Sequence, residues 1–256
     1  MAIPERIDLL HSCPGVTAVS IARGPHSSDS PYSGFNACHY VGDDPAHVDA
    51  CRRDLAAMLG LTPDRLVIPR QTHSARVEIV TDPSAVLEGV DALVTDRPGI
   101  ALCINTADCV PIVLADPVAG VIGAAHSGWR GTIASIAALT VEAMVSLGAD
   151  PGRIQAAMGP CICGRCYCVG EDVARQFIDK YGKSSDQVVR PFGQYHIDLP
   201  QAVRLTLLHA GLKPEHISLP AECSHHTPAG RWPSARRLGI ASPRTLTAIS
   251  LYSKRT

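Results

Sequence analysis

The chain has 256 residues, a formal net charge of −1, 46% hydrophobic residues and only 4% aromatic residues. The near-zero charge excludes a general electrostatic attraction to nucleic acid or to an anionic membrane, and the scarcity of aromatic side chains argues against stacking on bases. No stretch has the length of a membrane span, and the N-terminal segment lacks the apolar run of a signal peptide. We therefore expect a cytoplasmic protein that binds neither nucleic acid nor membrane.

Short apolar runs and amphipathic segments follow one another along the chain. The predicted strands are residues 16–22, 66–68, 76–80, 92–95, 100–104, 110–115, 118–125, 154–158, 217–219 and 246–251. The predicted helices are residues 45–60, with Asp44 as N-cap, and residues 128–147, 171–181 and 199–210. A long loop rich in Gly, Pro and Ser at residues 23–34 suggests a binding role. Because strands and helices intermix without strict alternation or repeats, we predict an α/β (α+β) fold. It is one domain over residues 1–256, with mixed β-sheet layers flanked by helices.

Polar residues that could catalyse a reaction or bind a metal interrupt the apolar middle of the chain. Asp108 and Cys109 lie between two predicted strands, where a polar pair is costly to bury. His126 follows another predicted strand and opens a glycine-rich turn into a helix, while His73 lies in a turn between two more strands. Two imidazoles and one thiolate are a known ligand set for catalytic zinc, which keeps a fourth position for water or substrate. The alternative is that the three residues are unrelated members of the core or the surface.

Ten cysteines are many for a cytoplasmic chain, where they are expected as thiols or metal ligands. Cys51 lies on the apolar stripe of the first predicted helix and is expected in the core. Cys161, Cys163, Cys166 and Cys168 are candidates for a structural zinc site of four thiolates. Free thiols are the favoured interpretation of these four, because a second Cys-x-x-Cys pair is missing.

Two pairs of identical polar residues lie near the C-terminus. His225 and His226 follow Cys223, which permits a metal site. Adjacent side chains usually point apart, so we interpret the two histidines as part of a polar loop. Arg236 and Arg237 are either a solvated pair or an anion clamp, and the solvated interpretation is slightly favoured.

Several common catalytic motifs are absent from the sequence. It contains no His-Glu-x-x-His and no Gly-x-Ser-x-Gly elbow, P-loop or dinucleotide fingerprint. It also lacks His-x-Glu paired with Pro-Cys-x-x-Cys, which excludes an ordinary zinc-dependent nucleoside deaminase of that type.

Four blocks in this order resemble the polyphenol oxidase (laccase-domain) family. That family is now largely regarded as purine nucleoside phosphorylases, and it includes the peptidoglycan editing factor. The blocks are Asp-Ala-Leu-Val-Thr at 91–95, Thr-Ala-Asp-Cys-Val-Pro at 106–111, Ala-His-Ser-Gly-Trp-Arg-Gly-Thr at 125–132 and Gly-Pro-Cys-Ile at 159–162. Further matches are Arg23 and Asn36 in the first loop, Gln71-x-His73, and Ser234-x-Arg236-Arg237.

The resemblance implies a zinc ion, with copper as the alternative, held by His73, Cys109 and His126. It implies phosphorolysis of adenosine, inosine and methylthioadenosine, adenosine deamination as a side activity, and a fold similar to the Cys–His deamidase toxins. Cys109, His126 and Asp108 are the expected catalytic residues, with Asp108 orienting a ligand or transferring a proton. A purine nucleoside and phosphate are the expected partners, and a monomer or homodimer is the expected assembly. The residues expected to bind nucleoside or phosphate are Arg23, Asn36, Gln71, Arg130 and Arg237.

The chain departs from the family pattern at three places. Tyr-Cys-Val-Gly at 167–170 replaces the common Tyr-Glu-Val-Gly, so a carboxylate is missing. Trp-Pro-Ser-Ala at 232–235 replaces Phe-Phe-Ser-Tyr, and Gly-Pro at 24–25 replaces Gly-Gly. These differences predict a shifted substrate preference.

Three other functions compete with a phosphorylase. The family's older name suggests a copper oxidase of phenols, but such enzymes usually carry His-x-His pairs, and none of the 11 histidines lies two residues from another. A metal-free Cys–His amidase acting on cell-wall precursors would use Cys109 as nucleophile and His126 as base. A binding module without catalysis accounts for the fold, but not for Asp108 and its polar neighbours between buried strands.

Overall fold

Two mixed β-sheets lie face to face at the centre of the structure. The structure is a computed structural model that describes residues 5–11, 13–24, 30–191, 193–227, 230–239 and 241–252. Residues 25–29 of the predicted binding loop, and with them Pro25, lie outside the described residues. Across the described ranges, no helix combines the length and the apolar character needed to cross a lipid bilayer.

The strands and helices are named in chain order. The strands are β1 (Arg6–Asp8), β2 (Val16–Ile21), β3 (Leu66–Val67), β4 (Val77–Ile79), β5 (Ala92–Thr95), β6 (Ala101–Thr106), β7 (Val110–Asp116), β8 (Val121–Ser127), β9 (Gln155–Met158), β10 (Cys168–Val169), β11 (Val189–Pro191), β12 (Tyr195–Ile197), β13 (Ile217–Ser218) and β14 (Thr245–Leu251). The helices are α1 (Pro45–Met58), α2 (Trp129–Ile133), α3 (Ile136–Ser146), α4 (Glu171–Tyr181), α5 (Leu199–His209) and α6 (Ala235–Leu238). Short 3₁₀ helices cover Pro63–Arg65, Gly182–Gln187 and Pro214–His216.

Each central sheet mixes antiparallel and parallel pairs. The first has five strands in the order β1-β2-β14-β6-β3, of which only β3 and β6 pair in parallel. The second has six strands in the order β13-β9-β7-β8-β5-β4, with parallel pairs at its two edges. Strands β10, β12 and β11 form a small third sheet. The predicted mixed sheet layers flanked by helices are thereby confirmed.

Alternating side chains along the central strands divide the core into layers. In β6, Leu102 and Ile104 pack between the two sheets, whereas Ala101 and Cys103 pack on the other face against α1. The outer face of the six-stranded sheet packs against α3, α4 and α5, with Phe177 of α4 fully buried. The order of layers is therefore helix, five-stranded sheet, six-stranded sheet and helices.

The helix predicted over residues 128–147 is wrong as a single element. Two helices, α2 and α3, cover this segment, and they meet at Ser135, whose φ of +61° is left-handed. The Ser135 hydroxyl accepts a 2.6 Å hydrogen bond from Lys180 at the end of α4. Because Ile133 and Ile136 both contact the same core, the apolar periodicity runs through the break and conceals it.

The strand predicted at residues 118–125 is displaced towards the C-terminus. The Asp116 carboxylate accepts hydrogen bonds from the backbone N–H groups of Val118 and Ala119, at 3.0 and 3.1 Å, and so forms a turn. Strand β8 then begins at Val121 and ends at Ser127. His126 consequently lies inside a buried strand rather than after it.

Candidate active site

Three turns or strand ends bring the predicted zinc ligands together. Cys109 lies where the chain passes from β6 in one sheet to β7 in the other, His126 lies near the end of β8, and His73 lies in the turn between β3 and β4. The candidate ligand atoms of the three residues all lie within 4.8 Å of one another. Nε2 of His73 lies 3.8 Å from Sγ of Cys109, and the two imidazole rings meet edge to face at 4.8 Å between centroids.

Asp91, at the start of β5, holds two of the three ligands in place. Nδ1 of His126 donates a 2.7 Å hydrogen bond to the Asp91 carboxylate, which is fully buried. The backbone N–H groups of Thr72, His73 and Ser74 donate to the same carboxylate at 2.8–3.0 Å. A carboxylate behind a histidine fixes the tautomer and leaves the other ring nitrogen free to bind a metal. This role of Asp91 was not predicted from the sequence.

Gly128 provides the space in which the three ligands meet. A Cβ atom at this position would lie 2.8 Å from Cδ2 of His73 and 3.0 Å from Sγ of Cys109. The backbone of Gly128 has a φ of −74°, which other residues also adopt, so the requirement for glycine here is steric. The glycine in the Ser-Gly-Trp-Arg block thus belongs to the ligand cluster rather than to a flexible turn.

The charges of this cluster stabilise one another. Burial raises the pKa of the Cys109 thiol, but the charge of His126 and hydrogen bonds from both imidazoles outweigh it and lower the pKa to about 6. Burial lowers the pKa of His126, but the Cys109 thiolate and the Asp91 carboxylate outweigh it and raise the pKa to about 9. The buried Asp91 has its pKa lowered to about 2, because its hydrogen bonds and the charge of His126 outweigh burial. Without a metal, these mutual effects favour a thiolate at Cys109 beside an imidazolium at His126.

Asp108 serves the architecture around Cys109. Its φ of +86° is left-handed, and its side chain is buried. The hydroxyls of Ser224 and Ser234 donate to its carboxylate at 2.6 and 3.0 Å, and the backbone N–H of Arg236 donates at 2.8 Å. Asp108 therefore ties the turn that carries Cys109 to the segment before β14, and its predicted part in proton transfer stays a prediction.

The two C-terminal arginines have different surroundings. The Arg237 guanidinium donates to backbone carbonyls of its own segment, including that of His225 at 2.7 Å. The exposed Arg236 guanidinium lies 5.0 Å from the ring centroid of Tyr167. Burial, with the charge of Cys109 adding to it, raises the pKa of Tyr167 to about 12, against the lowering effect of Arg236. The charges of Cys109 and Arg236 thus both act on Tyr167, and Arg236, whose backbone N–H donates to Asp108, is the arginine that lies over this ring.

The remaining predicted binding residues are occupied by protein partners to different degrees. The Gln71 amide exchanges two 2.8 Å hydrogen bonds with the backbone of Asn105, next to the Cys109 turn. The buried Asn36 amide donates to Asp43 at 2.8 Å, and Arg23 donates to two carbonyls of the loop that follows it. These contacts support loops around the site, and a direct contact with substrate stays a prediction for all three.

Arg130 is an exposed member of the predicted binding residues. Its guanidinium lies over the ring of Trp129, 4.3 Å from the centroid, at the start of α2. Because α2 begins directly after the strand that carries His126, this cation lies on the same segment as a predicted ligand. Its part in phosphate binding also stays a prediction.

A second group of candidate ligands combines one histidine of the C-terminal pair with three cysteines. The candidate ligand atoms of Cys163, Cys166, Cys223 and His226 also lie within 4.8 Å of one another. His226 lies in an exposed turn, as predicted, and this group differs from the four neighbouring cysteines considered as a zinc site. All ten cysteines are free thiols, and Cys51 is buried in the core as predicted.

The sequence matches the family model described as multi-copper polyphenol oxidoreductase laccase over residues 17–252. The chain belongs to this family. Among curated relatives of this laccase family, it is 46% identical to "Adenosine deaminase RL5" from an unknown prokaryotic organism, over 96% of this chain and 97% of that protein. It is 47% identical to "Purine nucleoside phosphorylase" of Deinococcus radiodurans, over 73% of this chain and 76% of that protein.

Solved structures agree with this assignment to the laccase family. The hypothetical protein YfiH of Bacillus licheniformis superposes with a TM-score of 0.90 at 29% identity, covering 98% of this chain and 97% of the other. YlmD of Geobacillus stearothermophilus superposes with a TM-score of 0.89 at 30% identity, covering 98% and 99%. The whole architecture is therefore shared with these proteins.

Proposed function

We propose that the chain is a zinc-dependent purine nucleoside phosphorylase with adenosine deamination as a side activity. The observation that carries the proposal is the meeting of His73, Cys109 and His126 within 4.8 Å, with Asp91 behind His126. The printed names of two relatives, an adenosine deaminase and a purine nucleoside phosphorylase, support nucleosides as the substrate class.

The residues present fit a mononuclear metal site. Two imidazoles and a thiolate form a set of three protein ligands, which is the number that catalytic zinc sites use. The thiolate is favoured in this surrounding, since the pKa of Cys109 is lowered to about 6 by His126 and His73 against burial. Zinc bound here would supply Lewis-acid chemistry and an activated water.

The chain's own residues account for the charge that phosphorolysis requires. In this reaction a phosphate oxygen bonds to the anomeric carbon of ribose, the glycosidic bond breaks and the purine leaves with a proton. Exposed cations suit an incoming phosphate, because charge-assisted hydrogen bonds to phosphate are the strong ones. The Arg236 guanidinium lies over Tyr167, and its backbone N–H donates to Asp108, the residue before Cys109. Arg130 lies on α2, which begins directly after the strand that carries His126. We assign phosphate binding to these two arginines.

A second candidate function has support from one specific feature. Cys109, His126 and Asp91 form a thiolate–imidazole–carboxylate series, which is the arrangement of a cysteine hydrolase. This candidate is the metal-free amidase acting on cell-wall precursors. An amidase mechanism assigns no role to His73, although Nε2 of His73 lies 3.8 Å from Sγ of Cys109. The position of His73 therefore favours the metal enzyme.

The test uses adenosine with and without inorganic phosphate, on protein loaded with zinc. We expect adenine and ribose 1-phosphate with phosphate present, and slow formation of inosine without it. His73→Ala is expected to abolish both reactions, whereas a cysteine hydrolase would keep its activity in this variant and under strong chelation. Full activity of His73→Ala on adenosine would remove the proposed mechanism.

A further inference from the structure

A cleft lined by Cys163, Cys223 and His226 contains a second set of soft ligands. Two separate segments meet there: the Cys-x-x-Cys loop that carries Cys163 and Cys166, and the turn that carries Cys223 and His226. The cleft has a volume of about 400 Å³ and is open to solvent, so an ion can enter it. None of these four residues belongs to the candidate active site.

The distances between the ligand atoms match a four-coordinate ion. Nδ1 of His226 lies 3.3 Å from Sγ of Cys166 and 3.9 Å from Sγ of Cys163, and all four candidate atoms lie within 4.8 Å of one another. Zinc bonds of about 2.3 Å to sulfur and 2.0 Å to nitrogen give tetrahedral edges of about 3.5–3.8 Å. Small side-chain adjustments are enough to bring all four atoms onto one ion.

The backbone is already arranged around the sulfur atoms. The N–H of Cys163 donates to Sγ of Cys223 at 3.3 Å. The N–H of Cys166 donates to the carbonyl of Cys163 at 2.9 Å, which closes the Cys-x-x-Cys turn. A β-bridge between Cys161 and Cys223 joins the two segments. Backbone contacts therefore hold the two ligand-bearing segments side by side.

The other two of the four neighbouring cysteines, Cys161 and Cys168, make different contacts. Cys161 is buried in the hydrophobic core under the six-stranded sheet. The thiol of Cys168 donates to the side chain of Gln194 at 2.9 Å. Of the four neighbouring cysteines, Cys163 and Cys166 therefore belong to the group, together with Cys223 and His226.

We propose that Cys163, Cys166, Cys223 and His226 bind a second zinc ion, as a structural site closed by four protein ligands. Three thiolates and one imidazole in tetrahedral arrangement favour zinc over harder ions. Four protein ligands leave no open position for substrate.

The place of this site indicates what it stabilises. Ile162, one residue before Cys163, donates its N–H to the carbonyl of Asp108 at 2.9 Å. Ser224, one residue after Cys223, donates its hydroxyl to the Asp108 carboxylate at 2.6 Å. An ion joining the two segments therefore holds both contacts to Asp108 and, through it, the turn that carries Cys109.

Metal analysis of purified protein tests the proposal. The background is His73→Ala with Cys109→Ala, in which the first site is destroyed, so the result does not depend on the proposed catalytic activity. Expressed with added zinc, wild type is expected to hold two equivalents and this background one. Adding Cys166→Ser and His226→Ala is expected to remove the last equivalent. The matched control Cys168→Ser and the rescue variant His226→Cys are expected to keep it.

Spectroscopy of cobalt(II) in the same background gives a second readout on correctly folded protein. We expect thiolate-to-cobalt charge-transfer bands and intense tetrahedral visible bands, both lost with Cys166→Ser while circular dichroism is unchanged. The proposal is overturned if the background binds no metal, if Cys166→Ser with His226→Ala keeps its equivalent, or if Cys163 and Cys166 form a disulfide in protein purified without oxygen.

Discussion

The buried carboxylate of Asp91 accepts a 2.7 Å hydrogen bond from Nδ1 of His126. The same carboxylate accepts the backbone N–H groups of the turn that presents His73. One side chain therefore sets the position of two ligands that lie 53 residues apart in the chain. Its contribution to the site is tested by removing the charge and keeping the shape.

Asp91→Asn is expected to weaken zinc binding at the first site by about 10–100-fold, the usual effect of losing a carboxylate behind a ligating histidine. The asparagine keeps an oxygen for some N–H groups but lacks the charge that holds the His126 tautomer. Competition with a chromophoric chelator measures the affinity. Asp96→Asn is the control, since that carboxylate is exposed and pairs with the neighbouring Arg97. Equal affinity in the Asp91 variant and the control contradicts the assigned role.

Gly128→Ala is expected to reduce activity and zinc affinity while leaving the fold intact. The added methyl group would lie 2.8 Å from Cδ2 of His73 and 3.0 Å from Sγ of Cys109, so a ligand must move. Gly152→Ala is the control, because there the nearest atom, 3.3 Å away, is the end of the flexible Asp150 side chain. A thermal unfolding scan distinguishes displacement of a ligand from a general loss of stability. Unchanged affinity in Gly128→Ala would show that the ligands do not depend on this space.

The sequence predicts the three ligands because they stand out against apolar surroundings, but it does not predict Asp91 as their support. Asp91 reaches His126 through the register of β5 on β8, in which Ala92 pairs with Ala125. Strand register depends on long-range packing that a local pattern does not encode. An aspartate directly before a buried strand was the available signal.

The group proposed as a second metal site was not predicted from the sequence for a related reason. The pattern predicts a partner for Cys163 and Cys166 only if another Cys-x-x-Cys follows, and none does. The partner segment arrives through a single β-bridge between Cys161 and Cys223, 62 residues apart. The turn after Cys223 then brings His226 back towards the cysteines, which the rule for extended neighbours did not anticipate.

In metal-free protein, Cys109 is expected to be alkylated by iodoacetamide with a midpoint near pH 6. The thiolate form predominates above this pH, because His126 and His73 lower the pKa to about 6 although burial raises it. Peptide-resolved mass spectrometry measures the rate at each pH. In His126→Gln the midpoint is expected to move upwards, and zinc is expected to protect the thiol in wild type. A midpoint near 9 in wild type contradicts this description of the site.

Stability in acid is expected to depend on Asp116, far from the ligands. Burial raises the pKa of this carboxyl, but hydrogen bonds from Arg153 and from nearby backbone N–H groups lower it by more. The net pKa therefore lies below its usual value. Its stabilisation is therefore complete above the ordinary pKa of about 4 and is lost as the pH falls through the folded-state pKa. Asp116→Asn is expected to lower the free energy of unfolding by about 1–3 kcal/mol at pH 7 and to flatten this acid dependence.

Urea unfolding at several pH values measures this effect of Asp116. The control is Glu142→Gln, which removes an exposed carboxylate from α3. The assigned role of Asp116, a buried carboxylate paired with the half-buried Arg153, is contradicted if the two variants lose stability equally or if the Asp116 variant keeps the acid dependence of wild type.

Arg236→Ala is expected to raise the KM for phosphate by about 10–100-fold, the equivalent of one lost charge-assisted hydrogen bond. Deamination of adenosine without phosphate consumes no anion, so its rate is expected to change little. Arg53→Ala removes an exposed cation from α1 and serves as the control for net charge. Arg236 contacts Asp108 through its backbone N–H, and the alanine variant retains this contact. A change in the KM for phosphate therefore reports the loss of the guanidinium and not the loss of support for Asp108. If deamination and phosphorolysis fall together, Arg236 acts on the ligand cluster rather than on phosphate, and Arg130 becomes the remaining phosphate candidate.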